Sequence, residues 1–165
     1  MAEASAQVAK GDPLLPLAWS RVFSPLVDDA LRREAWEQLG LPMRFEDWQP
    51  AFFGAFHVGL PQAPATLQLN VLLGLDGGSV REDMVRILEH LELEWGENRL
   101  QPDHLACVLE LLGVAMSKGE DVLVEGLCAR YLEPWCDRAI PQLGGSAELT
   151  AIVEQLRLDL RECHG

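Results

Sequence analysis

The sequence is short of positive charge. Thirteen lysines and arginines stand against 26 aspartates and glutamates in 165 residues, a net charge of −13. Phosphate binding needs a basic surface, so this balance argues against a nucleic-acid partner; it suits a basic partner steered in by the field. Long apolar runs are missing too. No stretch of 18 apolar residues occurs, and MAEASAQVAKGDP has no apolar segment of the kind a signal peptide carries. The expectation is a cytoplasmic protein that does not insert into membranes. The four cysteines, at 107, 128, 136 and 163, include no CxxC pair. Typical zinc ligand pairs are therefore lacking, and the thiols are expected to stay reduced, with Cys107 and Cys128 packed in apolar helical surroundings. There is no Gly-rich phosphate loop, no HExxH and no nucleophile elbow, so no enzyme is expected, and no metal or other cofactor.

What is present is a chain that is 48% apolar and 24% charged, which is a globular composition, of a length that suits one domain. Its most apolar stretch is LQPDHLACVLELLGVAM, residues 100–116. Between Leu105 and Met116 only Glu110 is charged, and a helix apolar nearly all round packs against neighbours on several sides. Pro102 suits a first helical turn, and Asp103 is expected to cap it and to favour the positive end of its dipole. Lys118-Gly119 ends the helix. Glu110, a charge on an apolar helix, must find a partner or an edge, with Arg130 as a candidate partner.

Around this centre the chain reads as helix throughout. Residues 1–12 are a small, polar tail, and 13–165 form the domain. Pro13 to Phe23 suits a short helix interrupted by Pro16. Ser24-Pro25 is a cap and first-turn proline for a helix ending at Gly40-Leu41-Pro42. Asp47-Trp48-Gln49-Pro50 is a second such start, leading to Ala51–Phe56, and 57–64 is a loop. Thr66–Leu75 opens with a strand-like alternation but has no partner strand, so a helix is expected. Ser79-Val80-Arg81-Glu82 is a capping box before a helix whose face carries Val80, Met84, Ile87, Leu88, Leu91 and Trp95. Helices over Asp121–Leu132, to about Leu143 after a bend at Pro134-Trp135, and along the Leu149, Ile152, Val153, Leu156, Leu160 stripe complete an all-α, bundle-like domain of about seven to nine helices.

Of the four histidines, His90 sits on a charged helix, His164 is terminal, and His57, after Phe52, Phe53 and Phe56, reads as structural. Asp103-His104 is the pair to single out. One reading is a cap and a polar neighbour. The other is a pocket whose carboxylate meets a cationic or N–H-rich peptide; adjacent residues on one helix rarely face each other, which disfavours catalysis by the pair.

Pro102-Asp103-His104-Leu105, then Leu109-Glu110, then Leu132-Glu133-Pro134-Trp135 resemble the TorD/DmsD/NarJ family of redox-enzyme maturation chaperones, whose pattern is roughly P-D-H-L-x-x-E-L-E-F followed by F-x-x-x-H-L-x-P-W. The segment Phe52 to Leu60 (FFGAFHVGL) is similar to the family's phenylalanine-and-glycine stretch. The sequence departs from the pattern at Val108, Leu111 and Tyr131. The resemblance spans about residues 50–143. It implies a TorD-like helical fold, monomer or homodimer, that binds the catalytic subunit of a molybdopterin oxidoreductase of the DMSO reductase family. In many members the bound element is that subunit's twin-arginine signal peptide, held while cofactor is inserted and export is delayed. It places peptide binding at Pro102, Asp103, His104 and Leu105, with Glu110, Leu132, Pro134 and Trp135 as family-motif positions. The competing readings are a helical adaptor or scaffold and, further off, a metal-dependent hydrolase using His104 and the cysteines.

Overall fold

A computed structural model describes residues 11–59, 63–94 and 100–164. Among them the chain is all-α: α1 (Leu14–Phe23), α2 (Asp29–Gln38), α3 (Phe45–Phe56), α4 (Leu69–Leu73), α5 (Gly77–His90), α6 (Leu105–Ser117), α7 (Asp121–Leu127), α8 (Glu133–Ala139) and α9 (Ala147–His164). A π-helical turn, Cys128–Leu132, joins α7 to α8 without a break, so these read as one rod. The tail up to Lys10, Leu60 of the phenylalanine-and-glycine segment and Trp95 of the expected α5 face lie outside the described residues.

Helix α6 is the centre, with eight of its thirteen residues buried. Its tightest neighbour is α1. A Cβ built on Gly113 would stand 2.9 Å from Leu17 Cγ and 3.0 Å from the Pro13 carbonyl oxygen, so the glycine lets the two backbones meet. Pro16 does not interrupt α1. It lies within the first turn, where a proline removes no helical hydrogen bond. An aromatic cluster fills the space between α1, α3 and α8. Phe23 is 5.4 Å from both Phe52 and Phe56 and 5.8 Å from Trp135, centroid to centroid. The indole N–H groups inside the fold are satisfied: Trp19 Nε1 donates to Asp159 Oδ2 at 2.8 Å, and Trp135 Nε1 donates to the Thr66 carbonyl at 3.0 Å.

Four helix starts differ from the sequence reading. Helix α2 begins after Asp28, whose carboxylate accepts from the Leu31 N–H at 2.9 Å, whereas Ser24 closes α1. Phe45 opens α3 with Arg44 ahead of it, so Pro50 sits inside the helix. Asp76, not Ser79, caps α5 and accepts from the Ser79 N–H at 3.1 Å. Asp103 does not cap α6. His104 does, its Nδ1 accepting from the Ala106 N–H at 3.1 Å. In each of the first, third and fourth cases two polar side chains stand near the start, and packing decides between them.

The expected helix over Thr66–Leu75 is also corrected. Only Leu69–Leu73 is helical, and the preceding residues are a non-helical strap that is extended at Gln68. Its partner is a single residue, Gln68 forming one antiparallel bridge with His104. The Leu105 N–H donates to the Leu67 carbonyl at 2.7 Å, and the Leu69 N–H to the Asp103 carbonyl at 3.0 Å. The Ala65 N–H donates to the Ala55 carbonyl at 3.0 Å. With Trp135 holding Thr66, the strap is tied to α3, α6 and α8 at once.

Candidate functional site

The strap accounts for the spacing of the two motifs in physical terms. Leu132 and Trp135 are both fully buried, and Trp135 reaches the strap that pairs with the residues opening α6. The π-helical turn sets their direction: the Glu133 N–H bonds back to the Cys128 carbonyl, five residues earlier, which rotates the following turn inward. Tyr131, on the same turn, points the other way and donates its hydroxyl to Asp83 Oδ2 at 2.6 Å. Pro134, half-buried, lies in the first turn of α8. The late motif is a structural anchor for the strap.

Pro102 and Asp103 lie in a turn closed by the His104 N–H, which donates to the Gln101 carbonyl at 2.9 Å, and His104 itself is extended, so the backbone changes direction between the two polar residues. Pro102 and Leu105 are buried and shape the mouth from within. His104 lines a cleft of about 590 Å³. Asp103 is not among the residues lining that cleft. The sequence reading placed the pair at one mouth; the structure separates their side chains.

The cleft runs between the end of α3, the strap and the start of α6. Phe53, Phe56, Ala63, Leu67, Pro25 and Leu100 contribute apolar surface to it, Thr66 and Gln68 polar surface, and His57 and His104 bring two imidazoles. Val58, 62% exposed, stands on its rim. His57 packs on Phe53 with ring centroids 4.8 Å apart, and its buried Nε2 has no hydrogen-bond partner among the described residues. Both imidazoles are held neutral. Burial lowers each from an ordinary 6.5 to about 4, with the Arg32 charge adding to the effect at His57 and His57 itself at His104. His57, read from the sequence as structural, packs on the phenylalanines and also lines the candidate cleft. The signal for the latter was its position, the first residue after an aromatic run and before a loop.

Asp103 faces the other way, toward α4 and α5. It is 1% exposed, and neither carboxylate oxygen has a hydrogen-bond partner among the described residues. Arg81 Nη1 lies 3.8 Å from Oδ2, too far for a hydrogen bond. Burial pushes the carboxyl up from its ordinary value, against smaller opposing pulls from its own backbone N–H and, after it, from the Arg81 charge. Glu110 reaches an edge, a crevice beside Ser20, Ser24 and Leu26. Arg130 is not its partner, since it pairs with Asp83 at 3.4 Å.

A second groove, of about 510 Å³, lies between α5 and α7, with Ile87, Leu123 and Leu127 in its wall and Val122 87% exposed. None of the matched motif residues lines it; Tyr131, where the sequence departs from the late pattern, does. Among the described residues no group of three His, Cys, Asp or Glu side chains could hold a metal, and no helix is long and apolar enough to cross a membrane. Comparison of the chain with protein-family models, with curated proteins and with solved structures finds no match. The likeness to the chaperone family therefore rests on the motif residues themselves.

Proposed function

We propose that this protein is a chaperone for the catalytic subunit of a molybdopterin oxidoreductase, and that it holds an extended segment of that subunit, its twin-arginine signal peptide, in the cleft beside His104. The observation that carries the reading is where the motif residues lead. The late motif anchors the strap, the strap pairs with the early motif, and both border a cleft of about 590 Å³ whose lining mixes polar groups with Phe53, Phe56, Ala63 and Leu67. Two neutral imidazoles suit a backbone without asking for an opposite charge; His104, whose Nδ1 already accepts from the Ala106 N–H, keeps its Nε2–H as a donor. No carboxylate lines this cleft, so it fits the apolar part of a leader. The surplus of acids over the whole chain steers the basic part inward.

The test is recovery of the partner from cells that make the protein with an affinity tag, and its identification by mass spectrometry. The reading expects a large molybdopterin oxidoreductase subunit still carrying its leader. It also expects that subunit to be lost when Val58→Asp puts a charge on the rim. Recovery of the same subunit by both variants would move the binding site elsewhere, and no such subunit from either would remove the reading.

A further inference from the structure

Asp103 poses a problem that the cleft does not answer. A carboxylate 1% exposed, with both oxygens unpartnered, costs the folded state free energy that one arginine at 3.8 Å offsets only in part. A third acceptor, Asn70 Oδ1, is likewise buried without a partner. The Asn70 amide and the Arg81 guanidinium converge at Gly77, where a built Cβ would lie 2.8 Å from Asn70 Nδ2 and 3.2 Å from both Arg81 Nη atoms. Arg81 is 45% exposed, rises from the first turns of α5, and hydrogen-bonds neither Asp103 oxygen. The cation here is removable, and the acceptors around it are left unfilled.

We infer that Asp103 and Asn70 form a guanidinium-binding site in which Arg81 is an internal stand-in, displaced when an arginine of a bound peptide takes its place. The site lies outside the cleft, one residue along the chain from His104. A peptide with its apolar segment in the cleft would thus bring an arginine near this mouth. A planar fork that hydrogen-bonds both carboxylate oxygens replaces a loose ion pair with a bidentate one. The released Arg81 returns to water at little cost, being half exposed already. The inference rests on the peptide-binding reading above and adds to it which ligand group is recognised and what guards the site.

A resident competitor weakens apparent affinity by the fraction of time it occupies the site, about tenfold if Arg81 holds it nine-tenths of the time. The probe is a fluorescent peptide with two adjacent arginines followed by an apolar segment, titrated into the full chain by anisotropy. Arg81→Gln should bind it several-fold more tightly than the wild type. Gly77→Ala, which keeps every charge but crowds the Arg81 guanidinium, should do the same. Asp103→Asn added to Arg81→Gln should abolish the gain, and Arg86→Gln, which removes a solvent-facing charge from the same helix, should give none. Equal or weaker binding by both Arg81→Gln and Gly77→Ala overturns the stand-in while leaving the chaperone reading in place. A gain that survives Asp103→Asn, or is matched by Arg86→Gln, reflects net charge and overturns it too. Failure of every variant to bind the probe, including one with lysines in place of arginines, would remove the guanidinium site and the peptide reading together.

Discussion

Two imidazoles kept neutral in one cleft give the molecule a predictable response to acid. Unfolded, each takes up a proton near 6.5; folded, not until about 4. Between those values the unfolded chain binds more protons, so stability falls as pH drops through that window and levels off below it. Melting temperature followed from pH 7.5 to 4 should therefore decline, and the decline should be shallower in a His57→Gln, His104→Asn double variant. Asparagine at 104 retains a side chain able to cap α6. An equal slope in both proteins would mean the histidines are solvated. Asp103 works in the opposite sense. Its folded value is raised, so the folded carboxyl keeps its proton longer than the unfolded one, and stability falls as pH rises from the ordinary value to the raised one. Asp103→Asn should keep or raise the melting temperature at pH 7 and lose that advantage in acid. A large drop at pH 7 would make the carboxylate a structural partner of Arg81.

At the scale of elements, close approach decides. Gly113 and Gly126 are both helical, but a Cβ at 113 collides with Leu17 and the Pro13 backbone, and one at 126 meets nothing within 4 Å. Gly126→Ala should stabilise by about 0.5–1 kcal/mol through helix propensity alone. Gly113→Ala should destabilise, because overpacking costs roughly 1–3 kcal/mol and a backbone oxygen is among the atoms that must move. Chemical denaturation of the two variants gives opposite signs if α1 and α6 pack as described. This contrast also marks what the sequence made legible. The stripes of α5 and α9 and the apolar run of α6 were plain, because burial of a face repeats at 3.6 residues and needs no knowledge of the partner. The helix starts were not. Asp28 stands near Ser24, Asp76 near Ser79, and His104, an uncommon cap, follows Asp103, so propensity had two answers at each place. The strap was hidden for a different reason: its strand partner is one residue, remote in sequence. The early motif lies beside a cleft, but the turn at Pro102-Asp103 sends its two polar side chains apart, and periodicity holds no record of that.

On the whole-molecule scale the dominant property is charge. A net −13 spread over a small domain acts at a distance, through a field that salt screens within about 10 Å at 0.1 M. It should govern how fast a basic peptide arrives more than how long it stays. Raising salt from about 50 to 500 mM should slow association of an arginine-bearing leader while changing dissociation little, in stopped-flow measurements. A salt-independent association rate would assign the acidity to solubility alone. The apolar residues of the cleft should set the lifetime, and Val58 isolates them, since it is exposed on the rim and outside the core. The most direct test of the account is a calorimetric titration of a twin-arginine leader from the proposed partner subunit into the wild type and Val58→Asp. The account predicts saturable one-to-one binding by the wild type, and binding at least about tenfold weaker in the variant at an unchanged melting temperature, as expected if a valine-sized apolar contact worth about 1.5–3 kcal/mol is lost. Equal affinity in the two proteins would contradict it.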